Sequence, residues 1–135
     1  MLRDMERLTA LRGLPFVMPK SFPANSLLAT RIAIAGEREG WARRFSRSVF
    51  EAEYGQGRDI SSHDVLRSIL NEMELATEPI FALVSTDAVK KEVRKRTDEA
   101  IELGIFGAPS FVSEDGELFW GDDRLEQAIN WAARQ

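Results

Sequence analysis

The sequence predicts an α/β chain that is helical over most of its length and closes in a ββα unit. Apolar residues recur at helical spacing as far as about residue 104. After Gly104 the pattern changes to two short apolar runs, Ser110-Phe111-Val112 and Glu117-Leu118-Phe119-Trp120, separated by Glu114-Asp115-Gly116. Asp-Gly favours the positive-φ positions of a tight turn, so these runs read as a hairpin. Asp122 and Asp123 then open a last helix through Leu125, Ala128, Ile129 and Trp131.

The helices follow in order. Leu2, Met5, Leu8 and Leu11 form a stripe that Gly13 stops, and Pro15 and Pro19 keep the next segment extended. Asn25 or Ser26 can cap a helix running to about Ala35, with Gly36 as its stop. Trp41, Phe45, Val49 and Phe50 mark a helix to about Tyr54, broken by Gly55-Gln56-Gly57. Another passes through Val65, Leu66, Ile69, Leu70 and Met73, and Thr77-Glu78-Pro79 starts the next, with proline in the first turn. The longest runs from about Asp87 to Leu103, with Val89, Val93, Ala100 and Ile101 inward and Lys90, Lys91, Arg94, Lys95 and Arg96 in water. The predicted division is a helical part, 1–104, and a ββα part, 105–135.

A chain of 135 residues suffices for one core, and 44% hydrophobic with 30% charged residues is ordinary for a globular protein. A net charge of -4 carries no basic excess for nucleic acid. The absence of cysteine excludes a disulfide, a thiolate metal site or a Cys-x-x-Cys centre within the sequence. No apolar run reaches the roughly 18 residues that span a bilayer, and the charged start does not resemble a signal peptide. No metal-ligand spacing occurs. A cytoplasmic protein without nucleic-acid or membrane partners is expected.

The most informative stretch is Thr97-Asp98-Glu99-Ala100, followed by Gly104-Ile105-Phe106-Gly107-Ala108-Pro109-Ser110-Phe111. A helix ends at glycine, a short apolar turn follows, and Ala-Pro leads straight into a strand. Proline at a strand head removes one ladder donor. A cis bond there would expose the backbone of the preceding residue to an added extended peptide. With Phe119-Trp120-Gly121-Asp122-Asp123-Arg124-Leu125 and Phe22-Pro23-Ala24-Asn25-Ser26-Leu27, this sequence resembles the 2-hydroxychromene-2-carboxylate isomerase family. That family belongs to the DsbA/kappa-class glutathione transferase branch of the thioredoxin-like proteins.

The resemblance implies a thioredoxin-like fold with a large helical insertion, glutathione as cofactor, a small aromatic substrate and a homodimer. It places Ala108 and the cis-proline Pro109 against the cysteinyl part of glutathione, and Asp122 and Asp123 at its γ-glutamyl group. Asp123 ranks above Asp122, because a second acid would repel the γ-glutamyl carboxylate unless it points away. Asn25 is a weaker substrate candidate, and Arg31 weaker still. The family's catalytic serine lies in an Asp-x-x-Ser-Pro-x-x-Tyr turn that has no match here, so no catalytic residue is assigned. The first helix starts without a cap, and a lone hairpin makes a poor sheet. Both features lead us to expect a missing βαβ segment of roughly 60 residues.

Plainer readings stand beside these. Asp123 with Glu126 fits a capping box, and Asn25 fits a cap. Pro109 could be an ordinary trans turn. His63 reads as a solvated first-turn residue, and the three tryptophans as core or interface anchors. Two other functions remain open. One is a DsbA-family thiol-disulfide oxidoreductase, which needs a Cys-x-x-Cys elsewhere. The other is a chain that acts only in binding or self-association, through the open strand edge.

Overall fold

The computed structural model describes residues 2–134. They contain α1 (Leu2–Leu11), α2 (Leu27–Glu37), α3 (Ala42–Phe50), α4 (His63–Glu72), α5 (Thr77–Val84), α6 (Asp87–Glu102), β1 (Ser110–Val112), β2 (Leu118–Trp120) and α7 (Leu125–Ala132). A π-helical turn, Glu51–Gly55, extends α3, and a 3-10 turn, Asp122–Arg124, precedes α7. The chain forms two compact units, Met1–Val93 and Arg94–Gln135, which divide within α6. Among the described residues no helix is long and apolar enough to cross a membrane.

The first unit is built on the helical stripes. Ile32 of α2, Phe45 of α3, Leu66, Ile69 and Leu70 of α4 and Val84 of α5 are fully buried together. The indole of Trp41 meets Phe45 edge-on at 6.0 Å between ring centroids. Arg44 donates to the carbonyl of Met73 at 2.8 Å, which ties α3 to the end of α4. The amide of Val17 donates to the carbonyl of Tyr54 at 2.7 Å and pins the extended segment after α1 onto the π turn. Within that segment the Phe22-Pro23 peptide is cis.

Three expectations for these helices need correction. Gly36 does not stop α2. It is buried within the helix, and the stop is Gly40 at φ 78. There the amides of Gly40 and Trp41 bond back to the carbonyls of Glu37 and Gly36, a Schellman closure. Phe50 does not join the core stripe. It is 64% exposed and stacks on Tyr54 at 6.4 Å. Ile101 is not inward: it is exposed on the last turn of α6.

In the second unit β1 and β2 pair antiparallel, with Ser110 opposite Trp120, Phe111 opposite Phe119 and Val112 opposite Leu118. The turn closes where the Gly116 amide donates to the Ser113 carbonyl at 2.9 Å, with Gly116 at φ 88 as Asp-Gly predicts. Phe119 and Ala128 are buried between the hairpin and α7. Trp131 packs on Phe119 at 6.2 Å and donates its indole N–H to Asp115 at 3.0 Å. Trp41 is buried, as an anchor should be, whereas Trp120 is 53% exposed.

Candidate functional site

The hairpin brings the candidate residues of the second unit together. The Ala108-Pro109 peptide is cis and leads directly into β1. One step beyond the Ser110–Trp120 pair, the Gly121 amide donates to the Pro109 carbonyl at 2.9 Å. The head of β1 and the foot of β2 are therefore neighbours, and Ala108, Pro109, Asp122 and Asp123 sit at the same end of the hairpin. All four are exposed. β1 pairs with β2 alone among the described residues, so its other edge is open there.

Small residues make this end compact. A Cβ on Gly107 would stand 2.5 Å from Nε1 of Trp120, so the indole rests directly on the Gly107 backbone. Phe106 meets the same indole at 5.2 Å. Ser110 donates its hydroxyl to the Gly107 carbonyl at 2.6 Å and braces the loop from the strand side.

The capping-box reading of Asp123 and Glu126 is overturned. Gly121 precedes the 3-10 turn and Arg124 caps α7, and neither start has a side-chain capping bond. The inserted 3-10 turn moves the helix start past Asp123. The Asp123 side chain is 83% exposed and reaches Arg124 only at 4.0 Å. Asn25 lies in the first unit, where its Oδ1 accepts the amide of Leu27 at 3.1 Å, so its side chain serves the entry to α2. His63 is exposed at the first position of α4, with its ring 5.8 Å from that of Phe81. Among the described residues no group of His, Cys, Asp or Glu could hold a metal ion.

One side chain was missed from the sequence. Glu53, on the π turn, is 3% exposed and is the buried charged residue of the described core. Its position four residues after Val49, on the Phe45–Val49 stripe, was the available signal.

The model of the DSBA-like thioredoxin domain matches residues 1–130. This chain belongs to that family. A DSBA-like chain with this hairpin and helical unit is similar to a 2-hydroxychromene-2-carboxylate isomerase of Sphingobium xenophagum, at 29% identity over 126 residues, with 93% of this chain and 63% of the relative covered. It is also similar to glutathione S-transferase kappa 2 of Caenorhabditis elegans, at 28% identity over 134 residues, covering 90% of this chain and 60% of the relative. Among solved structures it superposes on a 2-hydroxychromene-2-carboxylate isomerase with a TM-score of 0.84 and 25% identity, over 97% of this chain and 63% of that one. The chain thus spans about 60% of the length of the curated relatives it matches. The resemblance read from the cis-proline and Trp-Gly-Asp-Asp-Arg-Leu segments is borne out, and so is the helix-rich thioredoxin-like fold.

Proposed function

We propose that this DSBA-like chain belongs to a glutathione-dependent isomerase of the 2-hydroxychromene-2-carboxylate isomerase type, acting in aromatic compound degradation, and that it supplies one side of the glutathione site. The observation that carries the reading is the Gly121–Pro109 hydrogen bond of 2.9 Å, which joins the head of β1 to the residue two positions before Asp123. The similarity to an isomerase and to kappa-class glutathione transferases supports the choice of cofactor.

The residues present suit glutathione. The exposed backbone of Ala108 leads into an open strand edge, where an extended cysteinyl segment can add as a strand. The exposed carboxylate of Asp123 can pair with the γ-glutamyl ammonium through charge-assisted hydrogen bonds. Bound glutathione would supply the thiolate that adds to the conjugated ring-opened substrate and leaves after bond rotation. This chain's part is to hold the tripeptide so that its sulfur has a fixed position. A cytoplasmic location belongs to the same reading, since glutathione poises the cytosol.

Reduced glutathione titrated into the 135-residue protein, followed by amide shifts in NMR, tests this reading. The chain has no match to the serine turn, so binding and not turnover is the readout. Shifts at Ala108, Ser110, Gly121 and Asp123 are expected, with an affinity that falls roughly tenfold in Asp123→Asn, as loss of a charged hydrogen bond implies. Saturating glutathione with no shifts at these amides would sink it.

A second reading, binding or self-association without catalysis, is favoured by one observation. Phe106 and Trp120 make a tilted ring contact at 5.2 Å while 71% and 53% exposed. A mass in solution that rises with concentration supports it, and a strict monomer counts against it.

A further inference from the structure

The helical unit holds a cavity of about 380 Å³ between α2, α3 and the π turn. Its size lies in the range of small-molecule sites, roughly 300–1,000 Å³. Ala29 and Ala33, one turn apart on α2, leave the space, and Phe45, Val49 and Ile60 form apolar walls around it. Ser26, Thr30 and Ser46 add hydroxyls to the lining. Glu53 and Tyr54, neighbours on the π turn, complete it. Wide π turns inside helices are frequent at functional sites.

Glu53 is the unusual group. The residue is 3% exposed, yet its carboxylate receives one long hydrogen bond, from the Ile60 amide to Oε2 at 3.3 Å. A carboxylate can accept about four hydrogen bonds. A buried charge is costly unless it is paired. No lysine or arginine lines the cavity. The lining therefore combines an apolar body, residues that carry hydroxyls and one carboxyl group with spare acceptor sites.

We propose that this cavity binds a small primary amine with an aromatic or branched aliphatic body, its ammonium on the Glu53 carboxylate and its apolar part between Ala33, Phe45 and Val49. The ammonium supplies three donors to a carboxylate that has spare acceptor sites. Tyr54 and Ser46 belong to the same lining, and their hydroxyls are the groups available to orient the head group. The site is independent of the glutathione reading, since it uses none of Ala108, Pro109, Asp122 or Asp123.

The test compares three probes of similar shape on the unmodified full chain: 2-phenylethylamine, 2-phenylethanol and 3-phenylpropionate. Amide shifts in NMR locate and titrate each one. The amine is expected to shift Ala29, Ala33, Phe45 and Val49 and to bind at least tenfold more tightly than the alcohol, with the acid weakest. In Glu53→Gln the amine should lose at least tenfold in affinity while the alcohol stays within about twofold, since the isosteric amide removes the charge and keeps one acceptor oxygen. If Glu53→Gln does not fold, the probe series on the unmodified chain decides alone. Equal affinity for amine and alcohol, shifts elsewhere in the protein, or no shifts at millimolar amine would each overturn the proposal.

Discussion

The Gly121 amide donates to the carbonyl of Pro109 at 2.9 Å, and this bond joins the two segments that carry the proposed glutathione contacts. Gly121 holds φ 113 and ψ 149, a region that only glycine occupies readily. A Cβ there would also approach Asp123 Oδ1 to 2.6 Å. That oxygen ends a flexible side chain and can swing away, so backbone strain dominates. Gly121→Ala should therefore cost about 1–3 kcal/mol in stability. It should also weaken glutathione binding, because Asp123 must move. Urea unfolding and a glutathione titration on the same variant separate the two effects.

Trp41 lies on Gly36 in the same sense. A Cβ at Gly36 would come within 2.3 Å of Cε3 and 2.4 Å of Cζ3 of the indole. Alanine in mid-helix would ordinarily gain roughly 1 kcal/mol over glycine. Here the indole is buried and anchored by its N–H to Glu39 at 2.9 Å, so it cannot yield cheaply. Gly36→Ala is expected to lower stability by about 1–3 kcal/mol, the range for overpacking. A stabilised variant would show that Trp41 leaves its site at little cost.

The hairpin and its helix were legible because their signals are local. Asp115-Gly116 demands a positive-φ turn, and the alternation around it fixes the pairing that puts Pro109 next to Gly121. Gly36 does not stop α2, because its missing side chain makes room for Trp41, five residues on. That is a tertiary requirement, and no local rule carries it. Asp123 departs from its cap role for a related reason. The capping box assumes that the α-helix starts at once, and a 3-10 turn intervenes. Glu53 lay on a visible stripe, but its burial depends on how α2 packs against α3 and the π turn.

Phe45 and Phe50 looked equivalent in the sequence and are opposites in the fold. Phe45 is 1% exposed and Phe50 is 64% exposed. Phe45→Ala should cost about 3–5 kcal/mol, for lost transfer and a residual cavity. Phe50→Ala should stay below about 1 kcal/mol, as surface substitutions do. Denaturant midpoints for the pair check this directly. Similar losses in both would mean that the π turn does not direct Phe50 outward.

Tyr54 is the single tyrosine of the sequence, so phenolate absorption reports it alone. Burial, and then the neighbouring Glu53 carboxylate, push its hydroxyl above the ordinary tyrosine value of 10.0. An alkaline titration should therefore show ionisation later than in the unfolded chain. The unfolded chain loses this proton first, so the contribution of Tyr54 is intact below about pH 10 and declines as pH rises through its folded value. Glu53→Gln removes the second cause and leaves the first. Its Tyr54 titration should shift part of the way back and remain above that of the unfolded chain. A complete return would assign the whole effect to Glu53. No movement at all would mean that the carboxylate and the phenol do not interact.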